Sequence, residues 1–164
     1  MDYSIIGFPR IGIHRELKFA TEAYFRSEID ADELKRVVSQ QRMEQWTRQR
    51  DAGAGFIPSN DFSLYDGMLD TAYMLNAIPR RYADLRLSDI DTYFAMARGY
   101  QGAQGDVKAF TMKKWFNTNY HYMVPELDDD MELKLRSDAF WMAFIRRVLW
   151  AFRQSPWSPD RLPF

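Results

Sequence analysis

Twice in its first half the chain runs from a short β-type stretch into a polar loop and then into a helix-forming segment, an order that points to the α/β class with parallel strands. The first β-type stretch covers residues 3–7 and is closed by Gly7, Pro9 and Gly12, after which residues 15–26 read as a helix rich in strong helix formers. Asp30, with Glu33 three residues on, makes a capping-box-like start to a second helix. Its apolar stripe of Leu34, Val37 and Val38 can continue until Gly53 stops it. Residues 55–58 are the second β-type stretch, and residues 59–63 are polar and turn-like. Leu64, Leu69 and Leu75 then fall in a helix that ends before Pro79. Ser88 and Asp91 open a further helix over residues 91–98, terminated by Gly99, and residues 101–106 read as a glycine-containing loop. The sequence has no internal repeat and no low-complexity tract.

Loops that follow strands form the functional face of a (β/α)8 barrel, and the polar clusters at residues 7–18 and 59–66 both follow expected strands. A complete barrel takes about 250 residues. The chain has 164, so the expected fold is α/β, either a partial (β/α)8 TIM-type barrel comprising the amino-terminal portion only or a smaller α/β domain.

Composition removes several classes of function. The net charge is −1, which argues against a polyanion partner, and the absence of cysteine excludes disulfides, thiolate nucleophiles and any cysteine-ligated zinc within the chain. The opening Met-Asp-Tyr-Ser-Ile-Ile-Gly lacks the features of a signal peptide, so the expected compartment is the cytoplasm. No apolar run reaches the roughly 20 residues needed to span a membrane.

Three segments carry candidate chemistry. Arg15, Glu16 and Lys18 stand at the start of an expected helix, where free backbone N–H groups and the helix dipole favour an anion; with Arg10 they make a carboxylate or phosphate site. The competing reading is a solvated first turn. Residues 110–126 (Phe-Thr-Met-Lys-Lys-Trp-Phe-Asn-Thr-Asn-Tyr-His-Tyr-Met-Val-Pro-Glu) place Lys113 and Lys114 beside Trp115, Phe116, Tyr120 and Tyr122. That mixture suits a flat conjugated ligand with an anionic tail, or single-stranded nucleic acid. The competing reading makes Trp115 and Phe116 core residues with snorkelling lysines. Asn117, Asn119 and His121 can orient a ligand or satisfy loop backbone. Neither histidine, His14 or His121, lies in a ligand-spaced cluster with carboxylates, and Asp128, Asp129 and Asp130 read as a solvated loop more readily than as a hard-cation site. Asp61, Asp66 and Asp70 are carboxylates without an evident catalytic partner.

Five blocks in order carry a resemblance over residues 4–136: Gly-Phe-Pro-Arg-Ile-Gly; Arg-Glu-Leu-Lys; Ile-Pro-Ser-Asn-Asp-Phe-Ser-Leu-Tyr-Asp; Tyr-Phe-Ala-Met-Ala-Arg-Gly; and Lys-Trp-Phe-Asn-Thr-Asn-Tyr-His-Tyr-Met-Val-Pro-Glu. Together they resemble the amino-terminal half of the cobalamin-independent methionine synthase family. The resemblance implies two (β/α)8 barrels in the whole protein and methyl transfer from 5-methyltetrahydropteroyl-oligoglutamate to homocysteine, the amino-terminal barrel contributing to folate binding. By motif, Arg15, Glu16, Leu17 and Lys18 match the family's folate-binding quartet, and Lys114 matches the lysine before Trp-Phe that contacts the same substrate. The family's usual Glu-Met-Thr-Lys is here Thr111, Met112, Lys113 and Lys114, so an acid gives way to a hydroxyl and a cation is added. The resemblance also implies a catalytic zinc with cysteine, histidine and glutamate ligands in a carboxy-terminal barrel. This chain contains none of that barrel, so it is expected to hold no metal, to have no catalytic residues of its own and to be inactive alone.

Residues 1–137 thus read as part of the amino-terminal barrel, and residues 138–164 as a divergent tail. Residues 139–152 are apolar except for Arg146 and Arg147. A shifted frame of DNA that can encode residues 150–158 permits Gly-Ile-Pro-Ala-Lys-Pro-Val-Val, which resembles the family's continuation, so the tail is read as out of frame. The alternative is a non-catalytic small binding domain whose basic amphipathic tail lies on a membrane surface. The preferred reading has folate and homocysteine as partners of the full-length family, with no nucleic acid and no membrane.

Overall fold

The structure is a computed structural model that describes residue 3, residues 5–58 and residues 61–136; the divergent tail lies outside the described residues. Five helices and four short strands follow one another among them: α1 (Glu16–Phe25), α2 (Ala31–Asp51), α3 (Gly67–Met74), α4 (Arg80–Ala83), α5 (Asp89–Arg98), β1 (Tyr100–Gly102), β2 (Gly105–Val107), β3 (Met112–Lys114) and β4 (His121–Met123).

Helix ends follow local chemistry. Asp30 caps α2 by accepting from the Glu33 N–H at 2.8 Å, while the Glu33 carboxylate turns outward to Arg36 at 2.6 Å instead of closing a capping box. Asp32 and Glu33 in the first turn of α2 and Arg48 and Arg50 in its last complement the helix dipole. Ser88 caps α5 through the Asp91 N–H, and Gly99, at φ 80°, ends it. The helix expected around Leu64, Leu69 and Leu75 is shorter than its leucine spacing suggests. Asp66 caps it, so Leu64 stays in the preceding loop and Leu75 becomes the C-cap.

The core joins the helices through Leu17, Leu34, Leu69, Tyr82, Phe94, Met96 and Met123. Edge-to-face ring pairs reinforce it: Phe25 with Phe94 at 4.8 Å, Tyr93 with Phe94 at 5.4 Å and Tyr82 with Phe110 at 5.5 Å. α1 packs on α2, and α5 packs on α3 and α4. The Tyr24 hydroxyl donates to Asp91 at 2.6 Å, a further tie between α1 and α5. The last described residues return along α3, where Arg136 donates through its backbone N–H to Met74 and through its guanidinium to Asp89, each at 2.7 Å.

The strands differ from expectation. Among the described residues the β-pairing within sheets is antiparallel: β1 pairs with β2, Tyr100 opposite Val107, and β3 pairs with β4, Lys114 opposite His121. The loop expected at residues 101–106 is the first of these hairpins. Residues 5–7 and 55–58 are not regular strands, although Tyr3 lies beside the second stretch: the N–H groups of Gly55 and Phe56 donate to the Tyr3 carbonyl at 3.0 and 3.5 Å. A parallel strand is normally flanked by neighbours and covered on both faces, whereas Ile6 and Phe56 here are exposed. Among the described residues no helix is long and apolar enough to cross a membrane.

Candidate functional site

The loop before α1 is built around Gly12. Its φ of 87° is open to glycine, and an added Cβ there would run into the Glu16 carboxylate and come within 2.6 Å of the Gln41 side-chain oxygen. Glu16 folds back over this turn and accepts from the His14 N–H at 3.0 Å, while Gln45 of α2 donates to the Pro9 carbonyl at 3.2 Å. Leu17 is only 1% exposed and anchors the helix in the core; its N–H donates to Ile11. Two members of the expected quartet therefore shape the turn, and the other two, Arg15 and Lys18, are exposed. Arg15 is the N-cap at φ 63° with no side-chain cap bond, and among the described residues the Glu16 and Lys18 amides have no acceptor. Such amides at a helix N-terminus suit an anion. Lys18 lies 3.7 Å from Glu22 with both side chains about half exposed, a pairing too weak to withhold the ammonium from a ligand.

Arg10 does something other than the sequence suggested. Its guanidinium donates to the carbonyls of Ser63 and Tyr65 at 2.6 and 2.9 Å, so it clamps the first polar loop to the second and is not a free cation of the anion site. Asp61 strengthens the same junction by accepting from the Phe8 N–H at 2.9 Å.

The second polar loop is the hub. Asp66 Oδ2 accepts from the Leu69 N–H at 3.0 Å, capping α3, and from the Met123 N–H of β4 at 3.1 Å. Beneath the loop, the Tyr65 N–H donates to the Tyr93 hydroxyl at 3.1 Å, and that hydroxyl donates to Asp70 at 2.5 Å. Burial pushes the Asp70 carboxyl above its ordinary range; hydrogen bonds from Tyr93 and Ser63 and the charge of Arg42 oppose this. Burial and the adjacent Asp70 charge likewise raise the Tyr93 hydroxyl. The three carboxylates weighed for acid or base work are thus all engaged in holding the loop.

The β3–β4 hairpin presents the aromatic and cationic segment. Lys113 and Lys114 are exposed on β3. Trp115 and Tyr122 lie with ring centroids 4.5 Å apart, and the connecting turn is closed by the Trp115 N–H donating to the Tyr120 carbonyl at 2.8 Å. Phe116 is 93% exposed at a φ of 52°, and Trp115 and Tyr120 are exposed too, so the reading of Trp115 and Phe116 as core fails. Asn117, Asn119, His14 and His121 are all exposed. Asp128, Asp129 and Asp130 form an exposed loop with Asp130 3.7 Å from Arg80. Among the described residues no group of three or more histidines, cysteines, aspartates or glutamates converges as a metal site would require.

All three motif segments therefore meet at residues 61–66. Arg15 and Lys18 reach it through the Arg10 clamp and Lys114 through the β4 tie to Asp66, although among the described residues no hydrogen bond or ion pair joins Lys114 directly to residues 15–18. Sequence reasoning missed Tyr93 as a support. Its signal is a phenol on the buried face of α5, which needs a partner for its hydroxyl.

Residues 2–155 match the family described as the cobalamin-independent synthase N-terminal domain. The 5-methyltetrahydropteroyltriglutamate–homocysteine methyltransferase of Streptococcus suis (strain 05ZYH33) is 57% identical over 135 residues, covering 82% of this chain and 18% of that protein. Proteins of the same name from Streptococcus gordonii (strain Challis) and Campylobacter jejuni subsp. doylei are 51% and 50% identical over 144 and 145 residues, each covering 88% of this chain and 19% of the relative. The chain spans less than a fifth of the length of these curated relatives. The family match runs beyond residue 137, where the five sequence blocks end, into the segment outside the described residues.

Proposed function

The chain belongs to the family of cobalamin-independent synthase N-terminal domains, and on that premise we propose that it is a fragment of a methyltransferase that holds the polyglutamate tail of a methyltetrahydropteroyl substrate. The observation that carries this reading is the shared anchorage of α1 and the β3–β4 hairpin on residues 61–66, which leaves Arg15, Lys18 and Lys114 exposed on segments fixed to one frame. A chain of glutamates offers several carboxylates, and flexible cations on separate elements suit such a ligand. In this reading Arg15, Lys18 and Lys114 supply charge, the amides at the start of α1 supply donors, and Glu16 and Leu17 hold the turn that aims them.

Residues 1–137 correspond to the first part of a (β/α)8 barrel, residues 3–7 and 55–58 holding the places of its first two strands although their described residues are not regular strand here. Their adjacency, and the polar loop and helix after each, support this. Residues 138–164 are read as leaving the family's frame, and the family match continuing to residue 155 bears on where the departure begins. The methyl transfer to homocysteine belongs to the longer relatives. The donors present here do not fit the zinc that the resemblance implies: the chain has no cysteine, and among the described residues carboxylates and histidines do not cluster, which supports a metal centre held by other parts of the longer relatives.

Titration with 5-methyltetrahydropteroyl-triglutamate tests the reading. Weak binding that is abolished by Lys18→Ala together with Lys114→Ala is expected, because a ligand site needs groups held by a complete scaffold. Tight binding that survives the double substitution would show the site to be elsewhere.

A further inference from the structure

We propose that Asp66 is a positioning residue whose carboxylate sets where Lys114 stands relative to the start of α1; the inference rests on the tail-binding reading above. Capping α3 requires only one acceptor for the Leu69 N–H, yet the same oxygen also receives the Met123 N–H from a separate element. Because the acceptor is a carboxylate, both bonds are charge-assisted and stronger than those to a neutral oxygen. Met123 is itself a core residue, so β4 is fixed at one end by its side chain and by this bond. The register then carries the constraint across the hairpin: Met123 opposes Met112, Tyr122 opposes Lys113, and His121 opposes Lys114. Both hairpin strands are only three residues long, so little slack separates the tied residue from the lysine. On its other side the Asp66 loop holds Arg10 through the Ser63 and Tyr65 carbonyls, and Arg10 leads through the Gly12 turn into α1. A route of backbone and hydrogen bonds therefore runs from the α1 cations to Lys114, with Asp66 as the link between the second polar loop and the hairpin.

The test uses the full chain, with Asp66→Ala and Asp66→Asn, and two independent readouts. The first needs no ligand: amide hydrogen exchange in residues 112–123 should accelerate about tenfold or more in Asp66→Ala, the scale of a lost charge-assisted bond. Exchange in α2 should not change, and Asp66→Asn, which retains an acceptor oxygen, should restore most of the protection. Unaltered exchange in the hairpin of Asp66→Ala overturns the proposal. The second readout is a double-mutant cycle on the affinity for 5-methyltetrahydropteroyl-triglutamate. Lys114→Ala should weaken binding in the wild-type background and have little further effect in Asp66→Ala, whereas Lys18→Ala should weaken it equally in both. If both lysine substitutions cost the same in either background, Asp66 is a cap and nothing more. If the wild-type chain binds no triglutamate, the tail-binding reading fails, and the exchange result alone decides whether Asp66 tethers the hairpin.

Discussion

Replacing Tyr93 by phenylalanine removes one oxygen atom from beneath the hub of the site. The ring is held edge-to-face against Tyr73 at 5.7 Å and Phe94 at 5.4 Å, contacts that phenylalanine keeps, so the effect isolates the hydroxyl. Two hydrogen bonds go with it, the one to Asp70 and the one from the Tyr65 N–H; the latter amide retains Ser63 Oγ at 3.2 Å. The loss therefore falls chiefly on the Asp70 carboxylate. Leaving a buried group short of a partner costs about 1–3 kcal/mol, more when it is charged, so about 2–3 kcal/mol is expected where Asp70 is ionised. Read as amide exchange in residues 63–70, that is an acceleration of roughly 30- to 150-fold over wild type.

The pH dependence gives the experiment its edge. Burial raises the Asp70 carboxyl in the native state, so the native chain binds its proton more readily than the unfolded chain, and ionising Asp70 costs stability as pH rises through its native pKa. The Tyr93 bond opposes that rise, and removing it lifts the native pKa further. The deficit of Tyr93→Phe should then be largest above the native pKa and shrink as the pH falls below it. Comparing variant with wild type at each pH cancels the intrinsic pH dependence of exchange. Adding Asp70→Asn should recover part of the loss at neutral pH by removing the charge. A ratio under about twofold, or one that does not shrink as the pH is lowered until Asp70 is protonated, would refute the assignment of Tyr93 as the support of an ionised Asp70.

Several helix ends were legible because the groups that set them lie within a few residues of each other, whereas the start of α3 and the short α4 were not. Asp30 with Glu33, Ser88 with Asp91, and the stop at Gly99 are read from adjacent letters and appear as such in the structure. The strands were not legible for two different reasons. Residues 3–7 and 55–58 have β-type composition, but strand geometry depends on neighbours distant in sequence, and exposed Ile6 and Phe56 lack that cover. The β3–β4 hairpin was hidden because all three residues of β3 are exposed, so no alternation of apolar and polar positions marks it. At the site, resemblance supplied the cations, but charge alone could not say how they are used. Arg10 looked like a third cation of the anion site until the Ser63 and Tyr65 carbonyls, more than fifty positions away in sequence, were found on its guanidinium. Asp66 likewise reads as a local cap, and only the fold brings Met123 to it.

Gly12→Ala should destabilise the loop before α1 by about 1–2 kcal/mol from the left-handed backbone alone, seen as faster exchange in residues 11–18; unchanged exchange would remove the strain argument. The purified chain should form no methionine from homocysteine and a methyltetrahydropteroyl donor, and turnover by it alone would refute the fragment reading. With Ile6, Ile13, Phe19 and Phe56 exposed, the chain should self-associate with rising concentration in sedimentation experiments, and a monodisperse monomer with a cooperative thermal transition would favour an independent domain. The coding DNA offers the last test, and it needs no folded protein. If residues 138–164 are out of frame, a shifted frame across this region should read the Gly-Ile, Lys-Pro-Val and Gly-Pro continuation of the family and stay open into the remainder of a protein several times longer than this chain. The family match to residue 155 sharpens the question, because it asks whether the frame departs near residue 138 or only beyond 155. Unrelated codons and early stops in both shifted frames would sink the frameshift. The apolar stretch with Arg146 and Arg147 would then need a role of its own, which salt-dependent binding to anionic vesicles would reveal.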